Sequence, residues 1–111
     1  MATEQEILEI ELALKKLIEE SYTRYVLIRS KRLYKADPKL KQKYTPAKLG
    51  KILAFIMWKY EAMGLIRVQY ITQNHLYKFY VYVTEAYDDY AEKLEKQLQP
   101  QPPQAPTPTT S

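Results

Sequence analysis

The spacing of the apolar residues changes at Gly64, and this change limits the possible folds of the 111-residue chain more than any other feature. Before Gly64, apolar residues recur every three or four positions, as on one face of a helix: Leu49, Ile52, Leu53, Ile56, Met57, Tyr60 and Met63. After Gly64, residues 65–71 and 76–83 are rich in β-branched and aromatic side chains. The sequence therefore predicts an α+β fold in which a helix leads into a two-stranded β-hairpin, with residues 72–75 at its turn.

The predicted helix has clear boundaries on both sides. Thr45 is a favourable N-cap residue, and Pro46 suits the first helical position. Gly64 accepts the left-handed conformation that often follows a helix. These signals predict a helix over residues 46–63.

The hairpin strands are expected to alternate between a buried and an exposed face. In the first strand, Ile66, Val68 and Tyr70 share one face. In the second strand, one face carries Tyr77, Phe79, Val81 and Val83, and the other carries Leu76, Lys78, Tyr80 and Tyr82. A last helix is predicted from Thr84 to about Leu98, and the proline-rich residues 100–111 are expected to form a disordered tail.

The N-terminal part of the chain predicts two further helices. A capping box of Thr3 and Glu6 opens the first, which runs to about Tyr25 and carries an apolar stripe of Ile7, Ile10, Leu14 and Leu17. The stripe suits either the protein core or a dimer seam, and the pattern does not choose between them. A second helix is predicted over Arg24–Tyr34, and residues 39–44 are predicted to form a basic connector. Together the segments predict one domain over residues 1–99, with three N-terminal helices, a hairpin and a C-terminal helix.

Charge is segregated along the chain. Residues 1–20 hold six Glu against two Lys, and residues 85–111 hold five acids against two Lys. Residues 29–51 hold nine cations against the single anion Asp37: Arg29, Lys31, Arg32, Lys35, Lys39, Lys41, Lys43, Lys48 and Lys51. This basic block precedes and enters the N-terminus of the helix at Pro46, and both features favour a polyanion such as nucleic acid.

The composition excludes several classes of protein. The chain has no cysteine, so it can form neither a disulfide nor a cysteine-based zinc site. The first eleven residues are acidic, unlike a signal peptide, and no apolar run approaches the length of a membrane span. We therefore expect a cytoplasmic protein without a membrane partner.

Three strings of residues resemble the winged helix-turn-helix family, particularly regulators of the PadR and MarR kind. Thr-Pro-Ala-Lys-Leu at residues 45–49 starts the central helix, and Tyr-Glu-Ala-Met-Gly-Leu-Ile at residues 60–66 ends it. Tyr-Val-Thr-Glu at residues 82–85 follows the hairpin and opens the last helix. The resemblance covers residues 22–98.

The resemblance implies that residues 46–63 form the recognition helix and residues 72–75 the tip of the wing. We therefore predict a sequence-reading or architectural protein that binds duplex DNA, acting as a homodimeric transcription regulator. With the basic block, the resemblance predicts these nucleic-acid-binding residues: Arg29, Lys31, Arg32, Lys35, Lys39, Lys41, Lys43, Thr45, Ala47, Lys48, Lys51, Arg67, Gln73, Asn74, His75 and Lys78. The predicted dimer or partner interface consists of Ile7, Ile10, Leu14, Leu17, Phe55, Trp58, Tyr87 and Leu94.

The residues leave other binding functions open. Phe55 and Trp58 lie on a flank of the predicted recognition helix, where they suit a protein-interaction adaptor. The same charges suit an RNA-binding component of a larger assembly. Tyr70, Tyr77, Tyr80 and Tyr82 could stack on single-stranded bases.

An enzyme is not expected from this sequence. His75 is the only histidine and lies in a predicted turn, and Gly50 and Gly64 are the only glycines, so there is no phosphate-binding glycine loop. Asp88 and Asp89 lie on a predicted surface helix, where acids usually face solvent. We expect neither a metal nor a cofactor.

Overall fold

The structure, a computed structural model, describes residues 2–73 and 77–98. Asn74 and His75 of the predicted wing, and the tail predicted to be disordered, lie outside the described residues. The described elements are α1 (Glu4–Glu19), β1 (Tyr25–Ile28), α2 (Ser30–Ala36), α3 (Lys39–Lys43), α4 (Pro46–Ala62), β2 (Ile66–Gln73), β3 (Tyr77–Val83) and α5 (Ala86–Leu98). The α+β class is confirmed.

Helix α1 begins with the predicted capping box. The Thr3 hydroxyl accepts a hydrogen bond from the Glu6 amide at 3.1 Å, and the Glu6 carboxylate accepts one from the Thr3 amide at 2.9 Å. The helix ends at Glu19, six residues before the predicted end at Tyr25. Its apolar stripe packs against α2, α4 and α5 of the same chain.

The helix predicted over Arg24–Tyr34 is wrong in its first half. Residues 25–28 form strand β1, which pairs with β3, and only residues 30–36 are helical. Tyr, Val, Leu and Ile in succession are suited to a strand, and a partner strand far along the chain satisfies their backbone groups. The sheet therefore has three strands rather than the two of the predicted hairpin.

The predicted connector over residues 39–44 is also wrong in part, because Lys39–Lys43 form the short helix α3. The Asp37 side chain accepts a hydrogen bond from the Lys39 amide at 3.2 Å, which turns the chain from α2 into α3. Four helices, rather than three, precede strand β2.

Helix α4 matches its prediction to within one residue. The Thr45 hydroxyl accepts a hydrogen bond from the Lys48 amide at 3.2 Å, and Pro46 occupies the first turn. The helix ends at Ala62, and Gly64 has a φ of 75°, which a residue with a Cβ atom rarely adopts. Thr84 then donates its hydroxyl to the carbonyl of Gly64 at 2.7 Å, which ties this turn to the start of α5.

The strands are antiparallel in the order β1-β3-β2. The inner face of β3 carries Phe79, Val81 and Val83, as predicted, and α4 packs against β2 and β3. A register shift between Val68 and Tyr70 makes Tyr70 pair with Tyr80 on the outer face. The prediction that Tyr70 shares a face with Ile66 is therefore wrong, because an extra residue in a bulge reverses the alternation.

The core decides the role of the predicted interface residues. Ile10, Leu14, Leu17, Tyr87 and Leu94 are buried within one chain, which leaves none of them accessible to a partner. Their assignment to a dimer or partner interface is corrected by this burial, and Ile7 packs on the same core. By contrast, Phe55 and Trp58 are 55% and 65% exposed on α4.

Within residues 2–73 and 77–98, no helix has both the length and the apolar character needed to cross a membrane.

Candidate nucleic-acid interface

Four of the predicted cations line one groove on the surface. Arg29 and Lys31 come from the start of α2, Lys41 from α3 and Lys78 from β3. The remaining walls of this cationic groove are Ser30, Tyr34, Pro46 and Tyr77. Arg29, Lys31 and Lys41 all belong to the basic block of residues 29–51. Lys78 lies far from them in the sequence, and the fold brings it to the same groove.

Two hydrogen bonds and one strand pairing position the groove. The buried Ser30 hydroxyl donates to the carbonyl of Pro46 at 2.8 Å and joins the first turns of α2 and α4. Tyr34 donates its hydroxyl to the carbonyl of Tyr44 at 2.8 Å and holds α2 against the end of α3. Ile28 pairs with Phe79, so Arg29 continues β1 towards Lys78.

The groove cations have no carboxylate partners within residues 2–73 and 77–98. Among the residues that the structure describes, none of Arg29, Lys31, Lys41 and Lys78 forms an ion pair. Like charges gathered without counterions repel one another, and an anionic ligand would relieve that repulsion. The groove is therefore suited to phosphate groups.

Other members of the predicted set have partners. Lys43 forms an ion pair with Glu9 of α1 at 2.7 Å, and this hydrogen bond raises the pKa of Lys43. The Lys48 amino group lies 5.9 Å from the centroid of the Tyr44 ring. Arg32 donates to the carbonyl of Leu27 at 3.2 Å. These three cations are held by the protein itself and are less available to a ligand than the groove cations.

The remaining predicted residues are distributed over the surface. Thr45, Ala47, Lys51, Lys35 and Lys39 are exposed, and the Thr45 hydroxyl caps α4. Arg67 pairs with Tyr82 and lies on the outer face of the sheet, away from the groove. Gln73 ends β2, and nothing is described of its side chain.

The exposed face of α4 changes character along the helix. Ala47, Lys51, Phe55, Trp58 and Ala62 recur at intervals of three or four residues, and all five are exposed. The first part of this face is small or cationic, and the second part is aromatic. A polyanion fits the first part, and an apolar partner fits the second.

The tyrosines predicted for base stacking do not all lie together. Tyr77 is half-buried and stacks on Phe79, with ring centroids 5.7 Å apart. Tyr70, Tyr80 and Tyr82 lie on the outer face of the sheet, where Tyr25 joins them. Sequence reasoning missed Tyr25 because it assigned that residue to a helix.

A buried carboxylate was also missed. Glu11 is 3% exposed and accepts hydrogen bonds from Tyr60 at 2.8 Å, Tyr90 at 2.5 Å and Lys59 at 3.3 Å. Burial raises the pKa of Tyr60 and of Tyr90 well above the usual value, and the Glu11 charge adds to the effect. Only the position of Glu11 beside the stripe residues Ile10 and Leu14 could have signalled its burial. This Glu11 cluster joins α1, α4 and α5.

The described residues contain no group of three or more His, Cys, Asp or Glu side chains arranged to hold a metal ion. Asp88, which the sequence places on a surface helix, forms an ion pair with Arg24 at 2.7 Å.

No protein-family model matches this chain, and no curated protein or solved structure matches it either. A function for this protein therefore has to be inferred from the arrangement of its own residues.

Proposed function

We propose that this protein binds duplex DNA as a small transcription regulator, with the cationic groove as its phosphate-binding site. One observation carries the proposal: Arg29, Lys31, Lys41 and Lys78 surround one groove, and none forms an ion pair among the described residues. Phosphate contacts of this kind supply most of the affinity of proteins for nucleic acid and position them on the duplex.

Helix α4 is the element that would recognise the base sequence of the DNA. Its first turn borders the groove at Pro46, and Ala47 and Lys51 are exposed on its outward face. The order of the elements, with β1 between α1 and α2 and the strands β2 and β3 after α4, is compatible with a winged-helix layout in which α4 is the recognition helix. A helix in the major groove reads bases with its N-terminal residues, which supports Ala47 and Lys51 in that role.

A homodimer would place two such helices about 34 Å apart, one turn of DNA. The predicted seam residues on α1 and α5 are buried, except Ile7, which is partly buried and packs on the same core, so we propose that a dimer contact uses another surface. Phe55 and Trp58 are exposed on α4, but they lie on the same face as Ala47 and Lys51. They therefore suit a protein partner better than the contact of a dimer whose α4 helices lie one turn of DNA apart.

The decisive experiment is a fluorescence-anisotropy titration of labelled duplex DNA, with duplex RNA as a competitor, over a range of salt concentrations. Four phosphate contacts per chain predict a slope of log affinity against log salt of about −3.6 for one bound chain and about −7 for a homodimer. The variant Lys31→Gln/Lys41→Gln should reduce the magnitude of the slope by about 2 for each bound chain and lower the affinity by about tenfold or more at low salt. The matched control is Lys93→Gln/Lys96→Gln, which removes two exposed cations of α5.

A salt slope near zero, or equal losses in the two double variants, would contradict the groove as the phosphate-binding site. Tighter binding of duplex RNA than of duplex DNA would replace DNA by RNA as the ligand.

A protein-interaction adaptor is a second candidate function, and the exposed pair Phe55 and Trp58 favours it. Trp58 is the only tryptophan of the chain, so its emission reports directly on this surface. Sedimentation velocity should give a dimer of the 13.2 kDa chain for the wild type and a monomer for Phe55→Ser/Trp58→Ser if the surface is a self-contact. A monomeric wild type that fails to bind DNA would favour the adaptor function over the regulator.

A further inference from the structure

Four tyrosines lie on the outer face of the sheet, and we name them the tyrosine face: Tyr25, Tyr70, Tyr80 and Tyr82. Tyr25 of β1 pairs with Tyr82 of β3, and Tyr70 of β2 pairs with Tyr80 of β3. The ring centroids are 5.1 Å apart in the first pair and 5.5 Å apart in the second. Tyr25 and Tyr70 are 67% and 60% exposed, so large parts of their rings face solvent.

A bulge in β2 completes this face. Val68 pairs with Val81 on the inner side, and the register then shifts so that Tyr70 pairs with Tyr80 on the outer side. Without the extra residue, Tyr70 would follow Val68 towards the core. Bulges often aim a side chain at a binding site, and this one adds a second exposed ring beside Tyr80.

The charge of the face is one-sided. The positions of Arg67 and Lys78 in β2 and β3 place them on the same outward side as the tyrosines. Arg32 and Gln69 border a hollow on this side together with Tyr25 and Tyr80. Among the outward positions of the described strands there is no acidic residue.

We infer that the tyrosine face is a second binding site, which takes the unpaired bases of single-stranded nucleic acid by stacking. Aromatic rings stack on any base, while flanking cations contact the phosphates, and this combination is typical of single-strand binding surfaces. Arg67 and Lys78 are the cations for those phosphates. The inference goes beyond the duplex site, because the ligand differs and the tyrosines are not part of the groove.

The face continues into the cationic groove through Lys78, which borders the groove and also starts the outward row of β3. Successive outward residues of a strand are about 6.8 Å apart, so Lys78, Tyr80 and Tyr82 form a row that leads away from the groove. A nucleic acid with a paired and an unpaired part can therefore occupy both sites at once.

Association of two tyrosine faces with each other is disfavoured by charge. Two copies would bring Arg67 and Lys78 of both chains together, and the outward positions of the described strands offer no carboxylate to pair with them. A single nucleic-acid strand supplies base rings that can stack on the tyrosines. Its phosphates supply the negative charges that the face lacks.

The first test compares two labelled 12-mers of equal charge by fluorescence anisotropy: oligo(dT), and an abasic strand that has the phosphates but no bases. Stacking predicts that the wild-type protein binds oligo(dT) at least about tenfold more tightly. Equal affinities, or polyglutamate competing as strongly as oligo(dT), would overturn the inference.

The second test uses Tyr70→Leu/Tyr80→Leu, which removes the rings and retains apolar side chains. This variant should lose the preference for oligo(dT) over the abasic strand, while Tyr70→Phe/Tyr80→Phe should retain it. Tyr22→Leu is the matched control, because Tyr22 is fully exposed at 103% and lies outside the sheet. Circular-dichroism melts establish that each variant is folded.

The two sites fail independently in these experiments. Loss of duplex binding in Lys31→Gln/Lys41→Gln tests the groove, whereas loss of base preference in the tyrosine variant tests the face. An unchanged base preference in Tyr70→Leu/Tyr80→Leu would overturn the inference even if duplex binding is confirmed. The inference would also be overturned if Tyr70→Leu/Tyr80→Leu converted a wild-type dimer into a monomer without changing the base preference.

Discussion

The Glu11 cluster and the cationic groove are two charged regions whose charges are treated differently by the fold. Glu11 is buried and accepts hydrogen bonds from Tyr60, Tyr90 and Lys59. The groove gathers four cations, and none of them has a carboxylate partner among the described residues. A charge with a full set of partners holds the fold together, whereas cations without partners are available to a ligand. The difference separates a charge with partners inside the fold from the cations that we propose bind phosphate.

The largest expected effect follows from removing the structural charge. Glu11→Ala leaves the buried Tyr60 hydroxyl without its acceptor, and should lower the free energy of unfolding by about 3 kcal/mol. Urea unfolding followed by circular dichroism measures this loss. Glu9→Ala is the matched control, because Glu9 lies on the same helix and forms only a surface pair with Lys43. Equal losses in the two variants would contradict the special role of Glu11.

Alkaline pH should weaken the same cluster. Burial raises the pKa of Tyr60 in the folded protein, so the native state keeps this proton above pH 10 while the unfolded chain releases it. Stability should therefore be unaffected by Tyr60 below pH 10 and fall by about 1.4 kcal/mol per pH unit above it. Urea midpoints between pH 9 and pH 11 measure the slope.

Tyr60→Phe should reduce the alkaline slope by about 1.4 kcal/mol per pH unit, and the contribution of Tyr90, whose pKa is also raised by burial, should remain. Tyr22→Phe is the matched control, because Tyr22 lies outside the cluster and is fully exposed. If both variants show the wild-type slope, another group is responsible for the alkaline loss.

Substitutions in the groove should show the opposite pattern, a loss of binding without a loss of stability. Arg29→Gln/Lys78→Gln removes two cations that repel each other, so the folded state should become slightly more stable. The affinity for duplex DNA should fall by about tenfold at low salt, because two phosphate contacts are lost. Thermal melts and anisotropy titrations of the same samples measure the two effects. A large loss of stability would show that these cations have a structural role.

The smallest effect is expected where a predicted cation has a partner. Lys41 borders the groove, whereas Lys43 on the same helix pairs with Glu9. Lys43→Gln should therefore change the affinity for duplex DNA by less than about twofold, and less than Lys41→Gln does. Titration of the two single variants at one salt concentration makes the comparison. A larger loss for Lys43→Gln would mean that the presence of a partner does not identify the ligand-binding cations.

Signals within a few residues predicted α4 well and β1 poorly. The cap at Thr45, the proline at Pro46 and the glycine at Gly64 act on their own neighbourhood, so the bounds of α4 were correct to within one residue. Strand β1 was predicted to be helical because its pairing partner, β3, lies more than fifty residues away along the chain. The bulge before Tyr70 was also invisible, since alternation alone assumes an unbroken strand.

In the candidate site, too, some features follow from neighbouring residues and others depend on the tertiary structure. The sequence by itself determined that the middle of the chain is strongly basic and that α4 begins beside it, because charge and capping are properties of local residues. Only the tertiary structure decided that Lys78 lines one groove with the cations of α2 and α3, and that Lys43 forms an ion pair with Glu9. Only the tertiary structure decided, too, that the buried carboxylate of Glu11 joins three helices, where an entirely apolar contact was expected. Partners and burial depend on which distant segments pack together, and packing distributes the residues of one local pattern among different environments.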